Sequence, residues 1–135
     1  MKILDILTPK RKLGNLGERL AVKHLKKCGY KILEQNYVAH GYEIDIIAEN
    51  KEYVIFAEVK TRTVSGDNDR IRPALAVTPD KQRKIISTAG FYYRFLKTNK
   101  MLRFDVIEVY KHSNKTAINH IEGAFNANSA KERYK

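Results

Sequence analysis

Two strand-like runs, each carrying acidic residues within a β-alternating pattern, mark residues 43 to 60, which read Glu43-Ile44-Asp45-Ile46-Ile47-Ala48-Glu49-Asn50-Lys51-Glu52-Tyr53-Val54-Ile55-Phe56-Ala57-Glu58-Val59-Lys60. Successive strand side chains point to opposite faces, so residues two apart share one. Ile44, Ile46 and Ala48, then Ile55, Ala57 and Val59, form a wholly apolar face. The other face is apolar near the turn (Ile47, Val54, Phe56) and charged away from it (Glu43, Asp45, Glu58, Lys60). A two-residue loop at Asn50-Lys51 pairs Glu49 with Glu52, sets Asp45 opposite Phe56 and Glu43 opposite Glu58, and leaves Asp45 and Glu58 as diagonal neighbours about 7–8 Å apart. A one-residue slip would turn Glu58 and Lys60 into the apolar layer, which the pattern opposes.

The rest of the chain surrounds this hairpin with further elements. Leu13, Leu16, Leu20, Ala21, Leu25 and Cys28 recur at helical spacing, and Gly29 is a good helix stop. Cys28 reads as a small core residue near that helix end. Residues 30–38 read as a strand, so a helix is followed by three strands in an antiparallel meander. Residues 63–77 form a polar loop beside the charged end of the hairpin. Thr78-Pro79-Asp80 starts a second helix, with threonine as N-cap and proline at the first position; Ile85, Ile86, Ala89, Tyr92, Tyr93 and Leu96 supply its apolar stripe. Residues 102–110 form a fourth strand. A helix between strands three and four implies a right-handed crossover and a parallel pair. Ile118, His120, Ile121 and Phe125 suffice for a short edge strand. The expected fold class is α/β, one domain over residues 1–135 with flexible ends at 1–12 and 126–135. Its central mixed sheet has four to five strands flanked by helices.

Charge gives this scaffold a partner. The chain has 26 Lys and Arg against 15 Asp and Glu, a net charge of +11, and a polyanion, nucleic acid foremost, is the expected ligand. Between Arg62 and Arg103 there are ten basic residues against three acids. No apolar run approaches the ~18 residues of a membrane span, and the N-terminus is too short for a signal core. A single cysteine excludes internal disulfides and multi-cysteine metal sites. A cytoplasmic protein without membrane contact is expected, and the four histidines show no ligand spacing.

The charged end of the hairpin suggests chemistry. Two carboxylates about 4 Å apart near a surface repel by roughly 4 kcal/mol at an effective dielectric of 20, a cost that a cation removes. Carboxylate oxygens suit Mg²⁺ or Mn²⁺, and Mg²⁺ typically takes one or two carboxylates plus waters and phosphates. Lys60 beside such an ion could orient or deprotonate a water. The competing reading is a merely solvated face. Glu18 borders the packed face of the first helix, where it is either a surface glutamate or one leaning into the cleft. Lys81 extends from the buried stripe at the second helix's start, either snorkelling or reaching a phosphate. Gly14 and Gly17 permit close backbone approach to the sheet or to nucleic acid.

The run Gly17-Glu18, Ala21, Leu25, Gly29-Tyr30, Ile32-Leu33, Asn36, Glu43-Ile44-Asp45-Ile46-Ile47-Ala48, Val54-Ile55-Phe56, Glu58-Val59-Lys60-Thr61-Arg62, Lys81, Ala89 and Arg103-Phe104-Asp105-Val106 resembles the bacterial YraN-like family over nearly the whole chain. That resemblance implies the restriction-endonuclease-like fold and superfamily, which also holds archaeal Holliday-junction resolvases and whose metal motif is an Asp followed by Glu-x-Lys. Asp45 matches the Asp, Glu58 and Lys60 match Glu-x-Lys, and Glu18 matches the helix glutamate of the resolvases. Tyr42 departs from the pattern, since a small residue would be expected there.

The resemblance and the residues together imply a Mg²⁺- or Mn²⁺-dependent endonuclease cleaving DNA, with Asp45 and Glu58 as metal ligands and Lys60 and Glu18 completing the catalytic set. Arg62, Lys81, Arg83 and Lys84 are expected on nucleic acid. Glu43 is a candidate for the rim. A homodimer would suit a junction substrate, because two-fold symmetry addresses two strands. The alternative is a non-catalytic nucleic-acid-binding accessory module that keeps the nuclease fold.

Overall fold

A computed structural model describes residues 9–64 and 77–126, with side chains from Asn15 onward. Most of the polar loop expected over 63–77, and the ends 1–8 and 127–135, lie outside the described residues. The elements are helix α1 (Pro9–Lys27), strands β1 (Lys31–Ala39), β2 (Tyr42–Glu49) and β3 (Tyr53–Thr63), helix α2 (Pro79–Leu96), and strands β4 (Met101–His112) and β5 (Lys115–Phe125). Residues 9–12, expected as part of a flexible end, are helical. The tail is an eleven-residue strand rather than a short one.

One five-stranded sheet runs in the order β1-β2-β3-β4-β5. Only the β3–β4 pair is parallel, as the crossover through α2 requires, while the other pairs are antiparallel. The result is an α/β fold, a mixed sheet flanked by two helices, consistent with a restriction-endonuclease-like fold. Apolar alternation gives each sheet face its helix. Ala21 and Leu25 of α1 pack with Tyr30 on Ile46, Ala48, Ile55, Ala57, Ile107 and Val109. Ile85, Ala89 and Tyr92 of α2 pack on Ile44, Ile47, Val54, Phe56, Phe104 and Val106. Each fully buried large side chain contributes about 1.5–3 kcal/mol, which holds both layers to the sheet.

Local chemistry sets the ends of the helices. At the end of α1 Gly29 takes φ +90°, a conformation only glycine adopts freely, and Tyr30 N–H donates to Leu25 O at 2.9 Å. Cys28 is exposed there. The expectation of a core cysteine fails because the helix terminates before its side chain can turn inward. Thr78 caps α2 as expected, its hydroxyl accepting from Lys81 N–H at 3.2 Å, with Pro79 at the first position. Gly17 brings α1 down onto β3: a β-carbon added there would stand 1.8 Å from Thr61 Oγ1. Its close approach is therefore to the sheet. Among the described residues no helix is long and apolar enough to cross a membrane.

The hairpin register departs from expectation. Asn50 Oδ1 accepts from Glu52 N–H at 2.9 Å and Tyr53 N–H at 2.8 Å, and Asn50 N–H donates to Tyr53 O at 3.0 Å. Asn50 therefore opens the turn rather than occupying its centre, a role its short acceptor side chain favours. The loop moves one residue onward to Lys51-Glu52, and Glu49 pairs with Val54, Ile47 with Phe56 and Ile46 with Ala57. This is a shift of two in register. It leaves the β3 faces unchanged but moves the position opposite Asp45 from Phe56 to Glu58.

The β2–β3 ladder stops at Ile46–Ala57, although β2 remains paired with β1 as far as Tyr42 and β3 with β4 as far as Thr63. The two strands fork. At the fork β2 also departs from simple alternation: Ile44 packs in the α2 layer with Ile47 instead of joining Ile46 and Ala48. Asn36, skipped in the β1–β2 register between Gln35–Ile46 and Tyr37–Ile44, has φ +53°. The β2 change of face falls between those two pairs, opposite this left-handed residue, while the β1–β2 register itself shifts nearer the strand start, between Ile32 and Glu34.

Candidate metal centre

Asp45 and Glu58 occupy the two arms of the fork. Val59 N–H, released from the ladder, donates to Asp45 Oδ2 at 2.8 Å, so a carboxylate takes the place of a main-chain acceptor. Glu58, on the α2 face of β3, is only 8% exposed and its Oε1 is buried without a hydrogen-bond partner. An unpaired buried carboxylate oxygen is costly. Burial, then the Asp45 charge, push the Glu58 carboxyl up to about 8, although Lys60 and Lys81 pull it down. Burial raises Asp45 as well; the Val59 N–H and Lys60 oppose this, and Glu43 adds to it. These two groups resist ionising together, the condition a divalent cation relieves.

The donor set fits such an ion. An orphaned Glu58 oxygen and a fixed Asp45 carboxylate are hard oxygen ligands at one place, and Mg²⁺ commonly binds through two carboxylates with waters filling its octahedron. Among the described residues no three His, Cys, Asp or Glu side chains stand close enough to enclose an ion. The two-carboxylate arrangement is what the fold offers.

Glu18 comes to the neighbourhood by another route. With the Asn36 amide oriented to suit its surroundings, its nitrogen donates to Glu43 Oε1 at 2.9 Å and to Glu18 Oε2 at 3.3 Å. The α1 glutamate is thereby tied to Glu43, whose charge acts on both Asp45 and Glu58. Glu43, read from sequence as a rim candidate, links Glu18 to the pair. Tyr42, the position expected to be small, packs at the edge of the α2 layer. Burial and then the Glu58 and Asp45 charges push its hydroxyl up to about 12.

The cations divide by distance. Lys60 and Lys81 act directly on Glu58. Arg62 lies two residues beyond Lys60 on the same face, its Nε buried without a partner. Arg83 and Lys84 lie on an exposed flank of α2, paired with Asp80 at 2.7 and 3.4 Å. Sequence reasoning missed Asn36 and Glu108. Glu108 is fully buried opposite Lys60 in the β3–β4 register; Asn119 Nδ2 donates to its Oε1 at 2.9 Å while its Oε2 has no partner. A signal existed, since Glu108 interrupts the apolar row Phe104, Val106 and Tyr110. Asn36 had none.

On the opposite sheet face a second polar cluster is fully paired. Arg103 forks onto Asp105 with two bonds of 2.8 Å, donates to Tyr30 OH at 2.6 Å and lies 4.6 Å from the Tyr53 ring centre. His120 Nε2 stands 2.7 Å from Asp105 Oδ2, and Gly123 N–H donates to Oδ1 at 3.1 Å. Burial pushes the Asp105 carboxyl up, but bonds from His120, Arg103 and Gly123 together hold it below the usual carboxylate range. Satisfied in this way, the cluster is an anchor for the sheet.

The profile of the Uncharacterised protein family UPF0102 matches residues 17–109, which contain every residue of the centre. The chain is 41% identical over 120 residues to the UPF0102 protein of Caldanaerobacter subterraneus subsp. tengcongensis, covering 86% of this chain and 96% of that one. The UPF0102 protein of Clostridium perfringens is 42% identical over 118 residues (85% and 94% of the two chains), and that of Fervidobacterium nodosum 45% over 102 (73% and 74%). With these matches spanning most of its length, the chain belongs to the UPF0102 family.

Proposed function

We propose that this protein is a metal-dependent endonuclease of the restriction-endonuclease-like superfamily, acting in the cytoplasm on DNA phosphodiester bonds, with Asp45 and Glu58 as ligands to Mg²⁺ or Mn²⁺. The observation that carries the reading is the buried, partnerless Glu58 oxygen beside Asp45 at the strand fork. A bound ion would lower the pKa of its water and neutralise charge growing on the phosphate. The chain's own residues do the rest. Val59 N–H fixes the Asp45 carboxylate, and Glu58 would have to give up its proton to serve as a ligand, so affinity for metal would rise with pH toward about 8. Lys60 places an ammonium beside the pair to orient the attacking water, and Lys81, at the head of α2, meets the phosphate. Glu18 acts through Asn36 and Glu43.

Purified protein incubated with Mn²⁺ and single-stranded, duplex and branched DNA tests this. Cleavage of at least one substrate, abolished by Asp45→Ala, is expected; no cleavage of any of them, or equal cleavage by the variant, refutes it.

One observation favours a second reading, a nucleic-acid-binding accessory module. Among the described residues no third carboxylate joins the pair, and Glu18 is engaged through Asn36. Binding that persists in EDTA, falls steeply with salt and ignores Glu58→Ala would select it.

A further inference from the structure

We infer that a depression between the β1–β2 turn and α2 receives an unpaired nucleotide, making single-stranded or branched nucleic acid the substrate class. This rests on the nucleic-acid reading above. The depression has a volume of about 280 Å³ and is lined by His40, Asp80, Arg83, Lys84 and Ser87, near the lower end of the roughly 300–1,000 Å³ typical of ligand sites. The turn and α2 link it to the acid pair. Thr88 Oγ1 donates to Ala39 O at 3.2 Å, docking α2 on the turn, and the turn leads directly into Tyr42 and Glu43. Lys81 in the first turn of α2 acts on Glu58, while Asp80, Arg83 and Lys84 of the same turns face the depression.

Its chemistry is that of a nucleotide. Arg83 and Lys84 supply two cations whose exposed pairs with Asp80 are weak enough for a phosphate to compete. Asp80 can accept from an exocyclic amino group, and Ser87 adds a hydroxyl. Aromatic surface borders it through His40, whose ring meets that of Phe91 edge to face, centres 5.0 Å apart at 83°. Phe91 is 46% exposed and Phe95, one turn further along, 77%. Neither phenylalanine is explained by core packing, and both stand among cations on a helix whose other face is apolar. A base stacks on such a ring in any sequence context. A continuous duplex keeps its bases inside and offers only phosphates, so it can use Arg83 and Lys84 but not the rings.

Fluorescence anisotropy in EDTA at one fixed salt concentration tests this, with labelled single-stranded DNA, RNA of the same sequence, branched DNA and a blunt duplex. Phe91→Ala should weaken binding of branched DNA and of at least one single strand by about 5- to 150-fold, the range of one base stack, and change duplex binding by less than about twofold. The two single strands show which sugar is accepted. Phe91→Leu keeps apolar bulk and should lose affinity equally, whereas Phe91→Tyr should retain it. Unchanged binding of both single strands, or an equal loss on duplex, overturns the inference and leaves the endonuclease reading standing. Wild-type protein that binds none of the four overturns both.

Discussion

The buried acid pair should weaken the fold that carries it, and Glu58→Gln measures by how much. Glu58 ordinarily loses its proton near 4.5 but holds it to about 8 in the folded chain. A carboxyl raised in this way stabilises the folded state fully below its unfolded pKa. That contribution is lost as pH rises from about 4.5 to about 8. Each pH unit in that window costs about 1.4 kcal/mol, so the penalty reaches about 3 kcal/mol at pH 7, roughly 10 °C in Tm for a chain of this size. Glutamine has nearly the same shape and never ionises. Urea unfolding of both proteins in EDTA from pH 4 to 8.5 should give coincident stabilities near pH 4 and a widening advantage for Glu58→Gln above it, levelling off beyond about 8. Saturating Mn²⁺ should close the gap, since a ligand at 100 times its Kd adds about 2.7 kcal/mol to the wild type alone. A variant no more stable than wild type at pH 7 would refute the buried, uncompensated Glu58; a gap that Mn²⁺ leaves unchanged would refute the ion.

Gly17→Ala should destabilise although alanine is worth about 1 kcal/mol more than glycine in a helix. The new β-carbon would overlap Thr61 Oγ1, forcing α1 off β3 at an overpacking cost of about 1–3 kcal/mol or more; a stabilised variant in urea unfolding would show that α1 does not sit so close. Arg103→Lys loses the two-pronged hydrogen-bonded fork onto Asp105, the bond to Tyr30 and the stacking on Tyr53, and should cost about 2–3 kcal/mol. Asp105 stability is present above its unfolded pKa and lost as pH falls, so Asp105→Asn should flatten the acid limb of the stability profile, and an unchanged limb would contradict the anchor.

The parts legible in the sequence were those fixed by a period or a local rule. Ile55, Phe56, Ala57 and Glu58 alternate, so the two β3 faces were readable, as were the Thr78 cap, the Gly29 stop and the crossover that makes β3–β4 parallel. The register was not, because Asn50 can either open a turn or sit at its centre, and only the competition between its side chain and the backbone decides. The two-residue strand period was also misleading at Ile44. The strand changes face where Asn36 adopts φ +53°, and nothing in a periodic pattern announces a single left-handed residue. Glu18 was chosen by resemblance and Lys60 by the face it shares with Glu58. Asn36, which gathers Glu18 and Glu43, lies a strand away from the pattern that identified them.

The fork explains why the acidic site and the paired cluster lie back to back. Had β2 and β3 stayed paired past Ile46–Ala57, Val59 N–H would have bonded a carbonyl and Asp45 would have found no place at main-chain level. Ending the ladder gives up hydrogen bonds and creates a buried, repelling pair, so the sheet needs stiffening nearby. Asp105 is the register partner of Ala57, the last β3 residue held by β2, and Val106 is the partner of Glu58. The Arg103–Asp105–His120 cluster thus ties β4 to β5 and to the end of α1 on the reverse face at the level of the fork. A fully satisfied polar network is rigid, whereas a half-satisfied one is a liability. The chain places the first behind the second, so that the orphaned Glu58 oxygen and its Asp45 neighbour sit on strands tied from the reverse face by a satisfied network.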